Sequence, residues 1–473
     1  MIVGRNREQK QLEDALKSGR SEFIAVYGRR RVGKTHLVLS AFEGSFAFEH
    51  TGLARVGKTF QLAEFGRALR RRFGDGGGAP GDWYDAFDRL ATGLESLPEG
   101  RKVVFLDELP WMDTPKSHFI SALEHFWNGW ASRRGDIVLV ACGSATSWIV
   151  DKMINDYGGL HDRLTKRIRL EPFTLRECEE MARAKGLVLS RYQILELYMA
   201  LGGIPFYWDL LERGESAAQA VDRLFFAHEA PLSGEFDRLY ASLFRHPEAH
   251  LAVVRALGTK KAGMTREELL AATGRPDNGR FSKALEELRS CGFVRRYELP
   301  GRVERTSVWQ LVDNYTLFHF QFEPANRKGS PRFWSDSLES PLHAAWSGPA
   351  FERTCLLHVE QIKRALGISG VDVGAFALRV PPDEAGNPGA QIDLLLDRAD
   401  NVVNVCEMKF AKEPFSVDAD CERSIRNRIS ACRRFFGERK SVHATLVTTF
   451  GVRPGIHSEV VQSEITLEDL FAF

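Results

Sequence analysis

Gly28-Arg29-Arg30-Arg31-Val32-Gly33-Lys34-Thr35 matches G-x-x-x-x-G-K-[ST] in full. Each residue type suits a phosphate. The glycines let consecutive backbone N–H groups wrap an anion, Lys34 is placed to reach the β and γ phosphates of ATP, and the Thr35 hydroxyl is a Mg²⁺ ligand. A helix starting at Lys34 would aim the positive end of its dipole at the same anion. Further on, Lys102-Val-Val-Phe-Leu-Asp107-Glu108 is an apolar run that ends in two acids. Asp107 is placed to hold Mg²⁺ and its waters, and Glu108 to polarise an attacking water, which fits hydrolysis. Alone, this is an ordinary strand ending in acids before the turn at Pro110; beside a P-loop it reads as catalytic. A third apolar run, Asp136 to Ser144, ends in a small hydroxyl that would face the γ phosphate. ATP and Mg²⁺ are therefore the expected cofactors, with Thr35 and Asp107 on the metal.

Gly52-Leu-Ala-Arg-Val-Gly57-Lys58-Thr59 satisfies the same pattern letter for letter. What precedes each motif separates them. Phe23 to Tyr27 is continuously apolar, as in a strand buried on both faces. Ser45 to His50 alternates and carries polar residues, so Lys58 reads as a solvated loop lysine. Asp162, Arg163, Lys166, Arg167 and Arg169 form a basic segment. Arg163 or Arg167 could serve as an arginine finger on a neighbouring subunit's nucleotide in a homo-oligomer, or the segment could simply be a solvated face.

A second constellation lies near the other end. Gln391-Ile-Asp393-Leu-Leu-Leu396 and Val402-Val-Asn-Val-Cys-Glu407-Met-Lys409 read as neighbouring strands. Alternation puts Glu407 and Lys409 on one face with Val403 and Val405, and a hairpin would bring Asp393 beside them. Glu352, in an earlier helix, is the supporting acid. Asp393 and Glu407 would bind Mg²⁺ at a phosphodiester, with Lys409 positioning water or stabilising developing charge.

The elements that must position these groups fall into four zones. Residues 1–170 alternate apolar strands and amphipathic helices, the pattern of a parallel α/β sheet; residues 171–245 are mainly helical. In 246–323, a capped helix from Thr265 to Gly274, a second from Phe281 to Gly292 and two strand-like runs outline a winged helix. Residues 258–310 hold 11 basic and 7 acidic residues. Arg280, Lys283, Arg295, Arg302 and Arg305 are the candidate contacts to a DNA backbone, unless the module is a packing arm. A Pro- and Gly-bearing break at 324–331 precedes a last α/β zone, 340–473, with 15 basic and 18 acidic residues.

Composition narrows the classes. The 473 residues are 44% hydrophobic and 27% charged with a net charge of +1, which excludes a disordered chain and a uniformly basic nucleic-acid coat. No run is apolar and long enough to span a bilayer, and the first sixteen residues lack the apolar core of a signal peptide. Seven scattered cysteines without Cys-x-x-Cys predict buried thiols in a reducing cytoplasm.

Val3-Gly4-Arg5-Asn6-Arg7-Glu8, the P-loop, Phe105 to Trp111, Cys142 to Trp148, Gly158 to Arg163 and Leu201-Gly-Gly-Ile-Pro205, in this order, resemble the archaeal-type ATPase family of the AAA+/STAND group. The resemblance implies that Gly4 and Arg5 lie against adenine and that Pro205 belongs to a helical lid near the nucleotide. The order helix, three strands, helix, strand around Glu352, Asp393, Glu407 and Lys409 resembles the PD-(D/E)xK nuclease-like domain often found at the C-terminus of that family. The Pro-Asp pair is missing, since Gln391-Ile392 precedes Asp393. The expected fold is thus α/β: a P-loop NTPase parallel sheet with helical lid, a winged helix and a restriction-endonuclease-like C-terminal domain. The expected function is ATP binding and hydrolysis coupled to a DNA-acting nuclease-like domain. The alternative is a regulatory ATPase switch whose C-terminal domain is a non-cutting interaction scaffold. DNA is the expected partner, with no membrane.

Overall fold

The computed structural model describes residues 2–144, 146–154, 160, 162–244, 246–297, 307–380, 382, 388–437 and 439–472. They form two compact units. Unit 1 comprises 1–171 with 241–245 and 286–291; unit 2 comprises 172–240, 246–285 and 292–473.

Unit 1 is built on five parallel strands: β1 (Glu22–Tyr27), β2 (Phe46–Thr51), β3 (Lys102–Asp107), β4 (Ile137–Gly143) and β5 (Lys166–Arg169), ordered β2-β3-β4-β1-β5. Strands β3 and β4 are buried along their whole length and β1 along all but Tyr27. Their unbroken apolar runs need helices over both faces, which is why the sheet is parallel. β2, at the edge, alternates buried and exposed residues. The helices include α1 (Asn6–Lys17), α2 (Lys34–Ala41), α3 (Lys58–Phe73), α4 (Trp83–Glu95), α5 (Leu109–Met112) and α6 (Phe119–Gly129). Asp82 caps α4 by accepting from Asp85 N at 2.9 Å, and the helix then buries Trp83 and Phe87. Trp83 meets Phe65 of α3 and Phe119 of α6 edge-on, with centroids 5.4 and 4.8 Å away. Full burial of such side chains stabilises by about 1.5–3 kcal/mol each. β1 pairs with β4 on one side and β5 on the other, while its successor β2 lies at the far edge. That reversal beside β1 is where an open α/β sheet leaves a ligand crevice at its strand ends.

Unit 2 starts with helices Leu175–Ala184 and Arg191–Leu201, each opened by a capping box, Thr174 with Glu177 and Ser190 with Gln193. Helices Arg266–Thr273 and Gly279–Ser290, the second running into the 286–291 segment of unit 1, lie in sequence between β6 (Met264–Thr265) and β7 (Val294–Tyr297), which with β8 (Val308–Leu311) form an antiparallel sheet ordered β6-β8-β7. The break at 324–331 is a tight loop in which Asn326 bonds Ser330 through both its amide groups. Phe322 before it and Trp334 after it are in edge contact at 4.9 Å.

The last part of unit 2 is a mixed sheet of β9 (Val373–Val380), β10 (Ala390–Arg398), β11 (Val402–Lys409), β13 (Ser441–Thr448) and β15 (Ser463–Ile465), ordered β15-β13-β11-β10-β9; β12 (Phe415–Ser416) and β14 (Val452–Arg453) pair separately. β10 is antiparallel to β9 and β11, whereas β13 runs parallel to β11 and β15. Helix Ala419–Phe436 covers one face through Ile425, Ile429, Cys432 and Phe436. Among the described residues no helix is long and apolar enough to cross a membrane, and the seven cysteines carry no disulfide, all but Cys421 being buried.

Candidate functional site

The loop from Gly28 to Thr35 follows the C-terminal end of β1. Leu170 N donates to Tyr27 O at 2.7 Å, which lays the strand after β5 against the loop. A Cβ on Gly28 would come within 2.3 Å of Leu170 O, and its φ of 149° is one that side chains rarely adopt. Only glycine fits there. Lys34 is 7% exposed, and its ammonium donates to Gly28 O at 3.0 Å and Arg29 O at 2.9 Å, curled under the loop it serves. Arg29 and Val32 are buried, Arg31 half-buried and Arg30 exposed. The turn therefore shows outward its backbone, Gly33, Arg30, part of Arg31 and the exposed Thr35 at the start of α2. A phosphate fits this cradle on charge and on shape.

The two acids at the end of β3 turn to different partners. Asp107 Oδ2 accepts from Thr35 Oγ1 at 2.9 Å, and Asp107 Oδ1 accepts from Glu108 N at 2.9 Å. Glu108 has a φ of 49°, the left-handed region, and its carboxylate turns to Ser144, accepting from the hydroxyl at 2.9 Å and the amide at 3.3 Å. Thr35 and Asp107 would hold Mg²⁺, which when bound neutralises phosphate charge. Asp107 is thus turned to Thr35 and Glu108 to Ser144. Desolvation pushes the thiol of buried Cys142 well up, with Asp107 adding to it.

Other expected residues fall differently. Arg5 is 7% exposed, in the left-handed region, and donates to Val32 O at 3.4 Å and Glu171 O at 2.6 Å. It ties the loop to the end of unit 1 and is spent as a structural donor. Gly4 O accepts from Gln9 Nε2 at 2.7 Å. Arg163 and Arg167 are exposed, and Arg167 pairs with Asp162 at 3.5 Å. Pro205 is the first residue of helix Pro205–Asp209 in unit 2, where a proline costs nothing. Just before it, Gly203 is forced by packing: a Cβ would sit 1.9 Å from Phe173 O, and Phe173 N donates to Gly203 O at 2.6 Å.

The second Gly-Lys-Thr loop is closed from within. Gln61, fully buried, accepts from Leu53 N at 3.1 Å and donates to Leu53 O at 2.7 Å and Trp111 O at 2.8 Å. A side chain thus takes the Leu53 amide, one of the backbone N–H groups that a phosphate in this loop would need. Gln61 stands two residues after the motif, and nothing in the motif's spelling signals its role.

In unit 2, β10 and β11 pair Leu394 with Cys406, and the same register carried one residue further sets Asp393 against Glu407. Lys409 Nζ lies 2.8 Å from Glu407 Oε1, and Arg428 Nε 3.4 Å from Glu407 Oε2 and 3.0 Å from Gln391 O. Asp393 Oδ1 accepts from Gln391 Nε2 at 3.0 Å. Burial pushes Glu352 up to about 7, with Asp393 and Glu407 adding to the rise and Lys409 opposing it. Burial works against the Lys409 ammonium, but Glu407 outweighs it and holds the pKa above the ordinary value. Among the described residues no three His, Cys, Asp or Glu side chains gather as a metal site. Glu407 is thus paired with two cations, Lys409 and Arg428, while Asp393 is bonded to Gln391. Arg428 was absent from the expected set. It lies three residues after Ile425 on the flank of an apolar helical stripe, the one signal that could have marked it.

Of the expected DNA contacts, Arg280 and Lys283 are exposed. Arg295 is half-buried, bonds Gln310 Oε1 at 3.0 and 2.7 Å, and lies 4.0 Å over the Tyr297 ring. Arg302 and Arg305, like Gly158, Gly159 and His161, lie outside the described residues.

The parallel sheet, the loop after β1 and the acids after β3 together make the fold of unit 1 that of a P-loop ATPase. No family model matches the chain. It is 26% identical over 332 residues to an uncharacterised protein of Methanocaldococcus jannaschii, covering 68% of this chain and 69% of that one. Among solved structures, a Walker-type ATPase of Pyrococcus abyssi is 18% identical, with a TM-score of 0.47 over 67% of this chain and 95% of its own. The ORC2 protein of Aeropyrum pernix is 17% identical, with a TM-score of 0.40 over 67% and 94%. A signal transduction ATPase with numerous domains from Pyrococcus horikoshii is 16% identical, with a TM-score of 0.30 over 78% of this chain and 52% of that one.

Proposed function

We propose that this protein binds and hydrolyses ATP in unit 1 and that its nucleotide state controls a DNA-engaging C-terminal half. The observation that carries the first part is the division at the end of β3, with Asp107 on Thr35 and Glu108 on Ser144. Lys34 holds the phosphates, Thr35 and Asp107 hold Mg²⁺, and Glu108 takes a proton from the attacking water once it leaves Ser144. The P-loop amides stabilise the charge that gathers on the phosphoryl oxygens. Gly4 and Arg5 shape the adenine side, and Arg163 or Arg167 reaches a neighbouring subunit's nucleotide.

For the C-terminal half, the register of Asp393 and Glu407, with Glu352 and Lys409 beside them, supports a PD-(D/E)xK nuclease-like reading, and the helices and small sheet of 246–323 support a winged helix on DNA. A second reading is favoured by the Lys409 and Arg428 pairs on Glu407: the domain is a scaffold that binds without cutting. Nicking of supercoiled plasmid by the full chain, with and without ATP and Mg²⁺, tests the two. Cleavage lost in Asp393→Asn and Glu407→Gln while ATP turnover stays intact supports the nuclease. No cleavage under any condition leaves the scaffold.

A further inference from the structure

Helix Ala419–Phe436 carries a charge pattern that neither the sheet nor the acidic pair requires. Its two acids, Asp420 and Glu422, sit in the first turn, where they suit the helix dipole. From Arg423 to Phe436 there are five arginines and no acid. Arg428 turns inward to Glu407, while Arg423, Arg426, Arg433 and Arg434 are exposed, with Ser430 between them at helical spacing. The surrounding domain, 351–473, is acidic on balance, with 18 acidic and 15 basic residues.

Helix stability accounts for part of this set only. Arg433 and Arg434 suit the negative C-terminal end of the helix. Arg423 and Arg426 lie in the other half and pair with Asp420 at 2.9 Å and Glu422 at 2.6 Å. The guanidinium ends stay in water, since the side chains of Arg423 and Arg426 are 76% and 63% exposed, so these pairs exchange readily for another anion. A solvated helix face ordinarily mixes signs, and this one keeps a single sign over its last four turns.

We propose that the exposed face of helix Ala419–Phe436 is a docking tract for the phosphate backbone of double-stranded DNA. Arg428, on the inward side, ties the helix to Glu407 and to Gln391 O and so holds the outward arginines in place. Arg423 and Arg434 are about 16 Å apart along the axis at about 1.5 Å per residue. A duplex places about nine phosphate charges in that length. The one exposed aromatic residue of the stripe is Phe435, so it lacks the row of stacking rings that a single strand needs. The inference rests on the DNA-engaging reading of the C-terminal half but not on cleavage.

The test is binding of the full chain to a 30-base-pair duplex by fluorescence anisotropy in EDTA, from 50 to 200 mM salt. Each phosphate contact contributes about 0.9 to the slope of log affinity against log salt. Replacing Arg423, Arg426, Arg433 and Arg434 by Gln should lower that slope by about 3.6 and weaken binding at 50 mM salt at least about a hundredfold. The four-fold Arg→Lys variant should keep most of the slope, which separates lost charge from lost folding. Gln at Arg70, Arg71 and Arg72 of α3 should change nothing. Wild-type affinity and slope in the Gln variant overturn the proposal while leaving DNA binding in place. Loss of binding in that variant without plasmid cleavage by the wild type upholds the tract and removes the nuclease. Preference of the wild type for single-stranded DNA, or no duplex binding at 50 mM salt, overturns the tract.

Discussion

Ser144 Oγ donates to Glu108 Oε2 at 2.9 Å, and the Ser144 amide donates to the same oxygen at 3.3 Å. Two residues 36 apart in sequence meet because β3 and β4 are parallel neighbours, with Leu106 opposite Ala141. The bond holds a carboxylate close to where water would attack a γ phosphate, and it occupies one oxygen of that carboxylate. Glu108→Gln keeps the size and loses the base. Nucleotide binding should stay as in wild type and phosphate release should fall by about 10² or more. Ser144→Ala removes the shorter bond and keeps the amide, so its effect on turnover should be smaller than that of Glu108→Gln, again without loss of binding. Unchanged turnover in Glu108→Gln would take Glu108 out of the mechanism.

Lys34 and Lys58 occupy the same place in two segments that match one motif. Lys34→Ala removes charge-assisted bonds worth about 1.5–3 kcal/mol, so ATP affinity should fall by about tenfold to a hundredfold. Lys58→Ala should leave it unchanged, because Gln61 has already closed that loop. Titration with a fluorescent ATP analogue reads both variants, and the reverse result would put the nucleotide in the other loop.

Gly203→Ala places a methyl group against Phe173 O, where neither backbone can easily retreat because the two residues are hydrogen-bonded. The expected loss of stability is about 1–3 kcal/mol or more. Denaturant unfolding followed by circular dichroism would report it as a shift of the midpoint. An unchanged midpoint would mean that the two segments are free to part.

His358 is fully buried; Nδ1 lies 2.7 Å from Thr354 O, and Nε2 accepts from Leu175 N at 2.9 Å, capping the helix that starts there. Burial holds its pKa down at about 4, against 6.5 for the free side chain. A lowered histidine pKa means that protonation favours the unfolded chain. The stability it protects is complete above pH 6.5 and is lost as pH falls through 4, by roughly 3 kcal/mol at about 1.4 kcal/mol per pH unit. Thermal melts of wild type and His358→Gln between pH 7 and 4 should show the variant lower at pH 7 and flatter with acid. Parallel curves would place the acid sensitivity elsewhere.

Much of the local structure was legible in the residues. The continuous apolar runs of β1, β3 and β4, the capping boxes at Thr174, Ser190 and Thr265, and Gly28 and Gly33 around Lys34 all follow from rules that act within a few residues: side-chain periodicity, orphaned helix amides and the φ angles open to glycine. The antiparallel pairing of β10 with β11 was legible too, because a hairpin of known strand ends leaves little choice of register. Tertiary structure alone decided which groups were already spent. Arg5 reaches Glu171 across 166 residues, Gln61 seals one of two loops that match one motif, and Arg428 joins Lys409 on Glu407. A residue type states what a side chain can bond; only the order of strands and the packing of helices brings one partner near and puts the others out of reach, since each such bond is short and falls off within an ångström.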